Sequence, residues 1–302
     1  MKKIFLIIFA IIIIIPITLI RTDIPVSELE KKYFNNGSKY ITINNLKIHY
    51  RDEGKGFPFV LIHGVGASLH TWEVWTKSLK KDLRVIRFDI PPFGLTGFRR
   101  DKKYLMKDYV ILVDEILKKL KVKKCYMAGN SLGAMISLSY ANTYPQKVIK
   151  LIPIDGGNQR PKKAPGILRI TTIPLLSSFI QKITPRFAVK MILNQVYGDK
   201  SKLSEKTIDR YYDLLRRENS RQGIIDRSHT MHKERSFEVK NIRAKTLILW
   251  GKKDSWIPLK YGKILHKSIK GSKLIIYKDA GHVPMEEIPY ITLKDLRSFL
   301  FN

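Results

Sequence analysis

Gly129-Asn130-Ser131-Leu132-Gly133 sits between a run expected to form a strand, Lys124 to Ala128, and one expected to form a helix, Leu132 to Asn142, which Pro145 ends. The spacing is G-x-S-x-G at a strand-to-helix turn. Such a turn is sharp and strained, exposes the serine hydroxyl, and needs glycine two residues on either side so that strand and helix approach closely. The N–H groups of the helix start point toward the same place and favour developing negative charge. As a bare string the pattern carries little weight, because it recurs by chance. In this context it marks Ser131 as a nucleophile.

A serine hydroxyl needs a base, and the base needs an orienting acid. For a serine on this kind of turn the partners are expected in the chain order Ser, acid, His. Asp254 follows the apolar run Thr246 to Trp250, and His282 follows Lys273 to Tyr277, so both sit just past expected strands. His282 would take the proton from Ser131, and Asp254 would hold the imidazole. Asp155, after the expected strand Val148 to Ile154, is the alternative acid. Asp279 lies too near His282 in the chain and suits loop capping, and Asp89 belongs to the Pro91-Pro92-Phe93-Gly94 turn. Among the other histidines, His49, His70, His229, His232 and His266 fall inside elements or the insertion described next, while His63 opens a glycine loop. That loop, His63-Gly64-Val65-Gly66, offers the Val65 N–H as one oxyanion donor, with the Leu132 N–H as the other. One such donor is worth on the order of 3 kcal/mol in the transition state.

Outward from the motif the chain alternates strand and helix. Tyr40 to Ile43 and Leu46 to Arg51 flank Asn44-Asn45 as a hairpin does, and Phe57 to Ile62 is a continuous apolar run suited to a strand buried on both faces. Arg84 to Phe88, Tyr104 to Leu120 and Val148 to Ile154 continue as strand, helix and strand. From residue 156 to 240 the rhythm breaks into helical pieces with prolines at 161, 165, 174 and 185, and then resumes through helices near Leu259 to Lys267 and Ile291 to Phe301. The expected architecture is α/β: a mostly parallel sheet with helices on both faces, formed by residues 39–155 and 241–302, with 156–240 as a helical cap over the carboxyl edge. Residues 22–38 are polar and carry Pro25 and Asn35-Asn36-Gly37, as a linker would.

Five blocks carry a resemblance: His63-Gly64-x-Gly66, Arg87 to Gly97 (RFDIPPFGLTG), Gly129 to Gly133, Trp250 to Pro258 (WGKKDSWIP) and Gly281 to Pro289 (GHVPMEEIP). In this order, over roughly residues 38–302, they resemble the α/β-hydrolase superfamily, in its capped esterase, C–C bond hydrolase and haloperoxidase-like branch. The resemblance implies an eight-stranded core, a helical cap and hydrolysis through an acyl-enzyme. Pro92 stands where the family usually has glycine, and Ala67-Ser68 replaces the Gly-Pro-Gly continuation common in C–C bond hydrolases. Serine at 131, where dehalogenases and epoxide hydrolases of this fold carry aspartate, argues against both of those chemistries.

Composition narrows the partners. The net charge of +30 comes from 56 Lys and Arg against 26 Asp and Glu, but the lysines are scattered in pairs and form no run of five or six like charges. Nucleic-acid binding is therefore not expected. Cys125 is the single cysteine, which excludes an intrachain disulfide and a cysteine metal cluster, and its apolar run marks it as a buried hydrophobe. No cofactor or metal is expected. At the start, Met1-Lys2-Lys3 precedes the apolar stretch Ile4 to Ile20, and Pro16 to Pro25 (PITLIRTDIP) lacks the small residues of a cleavage site. Residues 1–21 are expected to be a single-pass membrane anchor in contact with lipid, with the catalytic domain outside the cytoplasm; the alternative is secretion after signal cleavage.

The expected activity is cleavage of carboxylic esters. Apolar cap residues such as Ile167, Leu168, Phe179 and Ile180 suit an acyl chain or simply pack the cap on the core. Two readings stay open beside it: carbon–carbon, amide or peroxy-acid chemistry on the same triad, and a non-catalytic binding protein that keeps the fold.

Overall fold

The protein is described here by a computed structural model, which covers residues 20–35, 37–159, 173, 177, 181–231 and 236–302. Eight strands form one sheet: β1 (Ser38–Ile43), β2 (Leu46–Glu53), β3 (Phe57–Ile62), β4 (Leu83–Phe88), β5 (Cys125–Asn130), β6 (Val148–Ile154), β7 (Lys245–Gly251) and β8 (Lys273–Tyr277), in the order β1-β2-β4-β3-β5-β6-β7-β8. β2 pairs antiparallel with both β1 and β4, and every other pairing is parallel. The β1–β2 hairpin turns at Asn44 and Asn45, both at positive φ (46° and 63°), the conformation a two-residue primed turn demands and asparagine tolerates.

The apolar run Phe57 to Ile62 behaves as a two-faced strand should. Val60 and Ile62 enter the core on one side of the sheet, and Phe59 and Leu61 enter the core on the other. Burying each such side chain contributes about 1.5–3 kcal/mol. The helices Met106–Lys119 and Leu132–Thr143 cover the first face through Val113, Ile116, Ile136 and Leu138. Glu73–Leu79 and Pro289–Phe301 cover the second through Trp75, Leu79, Leu296 and Leu300. Cys125 lies in the first of these cores, where burial pushes its thiol up to about 12 and leaves it unreactive.

Because β3, β5, β6, β7 and β8 run parallel, their carboxyl ends share one edge. His63, Ser131, Asp155, Asp254 and His282 all follow these ends. Between β6 and β7 the described residues contribute three further α-helices, Arg186–Val196, Glu205–Leu215 and Ser220–Met231.

Two findings depart from the sequence reading. Within the stretch read as a linker, Val26–Tyr33 is a helix whose Leu29 is buried against Leu95 and Leu214. A helix with one buried residue shows too narrow an apolar stripe to be seen in the sequence. The residues before it are strapped to the insertion: Arg21 N–H donates to Lys182 O (2.7 Å), Ile24 N–H to Arg216 O (2.7 Å), and Arg221 pairs with Asp23 (2.6 Å). The second departure concerns the expected transmembrane anchor and the membrane localisation and lipid contact built on it. Among the described residues no helix is long and apolar enough to cross a membrane, and that assignment is withdrawn. Of the residues 1–21 on which it was based, 1–19 lie outside the described residues.

Candidate active site

Ser131 sits at φ 54°, ψ −113°, a left-handed conformation that an L-residue adopts at a cost of about 1–3 kcal/mol and only where its surroundings enforce it. The surroundings are the glycines. A Cβ on Gly129 would stand 2.1 Å from Gly133 O, and one on Gly133 would stand 2.1 Å from Ile62 O. Any other residue at either place would push β5, β3 and the following helix apart. Ser131 N–H donates to Ile154 O (2.9 Å), which extends the β5–β6 pairing into the turn.

On the neighbouring strand ends, His282 Nδ1 and Asp254 Oδ2 are 2.7 Å apart, and both residues are buried. Asp254 Oδ1 accepts the N–H groups of Trp256 (2.7 Å) and Ile257 (2.9 Å), so the turn after β7 fixes the carboxylate's rotation. The Trp256 ring lies against the imidazole, with centroids 5.6 Å apart. With an Nδ1–H given to Asp254, the arrangement would leave His282 Nε2 free to act as a base.

The backbone of His282 is held from two sides. Its N–H donates to Val196 O (2.7 Å), and its carbonyl accepts from Asn130 Nδ2 (2.9 Å). The buried Glu287 carboxylate accepts three N–H groups: Gly281 (2.8 Å), Gly198 (3.1 Å) and Asp199 (2.7 Å). Asn130 and Glu287 were both inside quoted motifs, but nothing in the sequence assigned them this work. Their partners are distant in the chain, and only the fold brings them together.

The glycine loop after β3 is set by His63. Its Nδ1–H donates to Gly64 O (2.8 Å) and its Nε2 accepts Ile90 N–H (3.0 Å), which fixes a neutral tautomer; burial lowers its pKa. Gly64 comes so close to the serine turn that a Cβ there would lie 3.2 Å from Ser131 Cβ. Val65 lines the cavity beside Ser131, and Leu132 is the first residue of its helix, where a backbone N–H has no intrahelical acceptor.

Ser131 and His282 open into a cavity of about 190 Å³. Its other walls come largely from the insertion and are apolar, including Ile183, Ala188, Val189, Ile192 and Leu193. Arg221, the one Lys or Arg among the described lining residues, has its guanidinium bound to Asp23, Arg21 O and Thr184.

The remaining candidates do not line the cavity. Asp155 is fully buried beside Asp254, and Asp279 is exposed and paired with Lys253 (3.1 Å). His266 bonds Ser272, and His232 lies outside the described residues. Ser38, His49 and Asp89 form a second hydrogen-bonded line (3.0 and 2.7 Å), but none of them reaches the cavity. Asp89 also accepts Leu69 N–H and Leu95 N–H, so this line ties β2 to the loops after β3 and β4. One oxygen or nitrogen from each of Asp155, Asp254 and His282 falls within 4.8 Å of the others. A cation there would have to displace the Nδ1 proton that joins His282 to Asp254.

A profile of the family described as alpha/beta hydrolase fold matches residues 58–289. The chain is 28% identical over 255 residues to the uncharacterized hydrolase YugF of Bacillus subtilis (strain 168), covering 83% of this chain and 92% of that one. It is 26% identical over 260 residues to the 2-hydroxy-6-oxononadienedioate/2-hydroxy-6-oxononatrienedioate hydrolase of Escherichia coli O81 (strain ED1a), covering 78% and 85%. Among solved structures, a meta-cleavage product hydrolase from Pseudomonas fluorescens IP01 superposes with a TM-score of 0.77 at 21% identity, covering 87% of this chain and 97% of that one.

Proposed function

The chain belongs to the α/β-hydrolase fold family, and from that premise we propose that it is a serine hydrolase that cleaves carboxylic esters of apolar acids through an acyl-enzyme. The observation that carries the reading is the His282–Asp254 hydrogen bond of 2.7 Å opening onto the same cavity as Ser131 on its left-handed turn. In this reading Ser131 Oγ attacks the ester carbonyl while His282 Nε2 takes its proton. Asp254 stabilises the imidazolium, and the N–H groups of Val65 and Leu132 receive the oxyanion. The imidazolium returns the proton to the departing alcohol. Water then repeats the sequence on the acyl-enzyme, with His282 as base. Residues 39–155 and 241–302 act as the core and 156–240 as the cap, whose apolar side chains receive the acyl group.

Carbon–carbon bond cleavage on the same triad is the second reading, and the Escherichia coli relative's name favours it. A dioate brings two carboxylates, and the cavity's described cation, Arg221, is already neutralised by Asp23. That charge balance supports the ester reading. Kinetics on 4-nitrophenyl esters of increasing acyl length separate the two. Turnover should rise from acetyl to octanoyl, and Ser131→Ala should lower kcat by on the order of 10⁴-fold or more. Ester turnover that survives Ser131→Ala would overturn the proposal.

A further inference from the structure

Asp155 has no task in the reaction just described, yet its carboxyl lies behind the His282–Asp254 pair with no exposure to solvent. Asp254 Oδ2 faces His282 Nδ1, and Asp254 Oδ1 is taken by the Trp256 and Ile257 N–H groups. Asp155 Oδ1 accepts Gly251 N–H at 2.9 Å, whereas Asp155 Oδ2 is buried without a partner. The backbone of Asp155 is itself held at φ 43°, so its position is enforced by the strand ends around it.

Two carboxylates this close and this dry do not both ionise. Asp254 has the imidazole and two N–H donors to stabilise an anion, and Asp155 has one N–H. The titratable groups around Asp155 are Asp254, Glu287, Tyr277 and His282; the first two repel an anion at 155, and none is a permanent cation. Burial first, then the charge of Asp254, holds the Asp155 carboxyl well above the usual carboxylate range, against the opposing effect of Gly251 N–H. A proton on Oδ2 converts the unpartnered atom into a donor, and the Asp254 carboxylate is the acceptor beside it.

We propose that Asp155 is a positioning residue: a neutral carboxylic acid that gives its O–H to the Asp254 carboxylate, fixes that carboxylate and lowers its basicity toward His282. The role rests on the serine-hydrolase reading above, although the proton itself does not. An Asp254 relieved of part of its charge stabilises the imidazolium less than a fully charged carboxylate would. Asparagine at 155 reproduces the neutral acid, with its oxygen on Gly251 N–H and its amide donating to Asp254. Alanine removes the donor.

Infrared spectroscopy of the full chain at neutral pH reads the proton directly. A carbonyl stretch of an un-ionised carboxylic acid should be present in the wild type and missing from Asp155→Asn. In kcat/KM against pH, Asp155→Asn should stay within about threefold of wild type with its acid limb in place, whereas Asp155→Ala should move that limb to higher pH by roughly half to one unit. Absence of the band, or an Asp155→Asn acid limb displaced as far as that of Asp155→Ala, would overturn the proposal. Should Asp155→Ala fail to fold, the band and Asp155→Asn decide. Should the protein cleave no ester, the band still tests the proton, so the two failures remain separate.

Discussion

The backbone N–H of His282 donates to the carbonyl oxygen of Val196, the last residue of an insertion helix, at 2.7 Å. Carbonyls at a helix end lack intrahelical partners, and here one of them is satisfied by the candidate catalytic histidine. Gly281 leaves no space in this contact, since a Cβ there would stand 2.3 Å from Val196 O. The insertion therefore does more than wall the cavity. It is part of what holds that histidine.

Glu287 is the second half of that coupling, because its carboxylate accepts N–H groups from the histidine loop and from residues 198 and 199 at once. Glu287→Ala leaves three donors without their acceptor. It should lower kcat by about 10–100-fold and stability by about 2–4 kcal/mol, read by ester kinetics and denaturant unfolding. A stability loss with kcat unchanged would show that the carboxylate supports the fold and not the histidine.

Gly133→Ala places a methyl group 2.1 Å from the Ile62 carbonyl oxygen, a contact that only displacement of β3 or of the serine helix relieves. The expected result is loss of more than about 3 kcal/mol and failure to accumulate soluble protein, checked by expression yield and thermal melting.

What was legible in the sequence follows the range of the forces involved. The strands Phe57–Ile62, Val148–Ile154 and Lys273–Tyr277 occupy the residues expected, because continuous apolar runs bounded by turn residues record burial locally. The turn at Ser131 was legible for a similar reason: the glycines that make it possible stand two residues away. Val26–Tyr33 was not, since one buried leucine leaves no pattern. Nor were the hydrogen bonds from Asn130 to His282 and from Glu287 to Gly198, whose partners lie 152 and 89 residues apart. The apolar start of the chain illustrates the opposite error. Hydropathy, the basic start and the missing cleavage pattern carried the membrane reading, and the described helices do not bear it out.

Acid should destabilise the protein through His70. The ring is almost fully buried, bonded to Ser68 Oγ and Tyr33 O, and burial pushes its pKa down to about 3. The unfolded chain takes up a proton at this histidine near its ordinary pKa of about 6.5 while the folded protein stays neutral there. The unfolded state thus binds more protons, and stability falls as pH drops from about 6.5 toward about 3, by at most roughly 1.4 kcal/mol per pH unit for this one group. Urea unfolding between pH 7 and pH 4 measures the slope. His70→Gln, which cannot take up the proton, should flatten it; an unchanged slope would assign the effect to other groups.

Ile192 lines the cavity on the helix Arg186–Val196 without belonging to the buried core. Ile192→Trp should fill the space meant for an acyl chain. KM for an octanoyl ester should rise about tenfold or more while that for an acetyl ester stays within about twofold. Equal effects on both esters would show that the acyl group does not occupy this part of the cavity.

Nucleophilic attack by Ser131 is the step on which the proposed hydrolysis depends. Reaction with a fluorophosphonate, followed by peptide mass spectrometry, should give one covalent adduct per chain, located on Ser131 and absent from Ser131→Ala. No adduct, or an adduct that persists in Ser131→Ala, would contradict it.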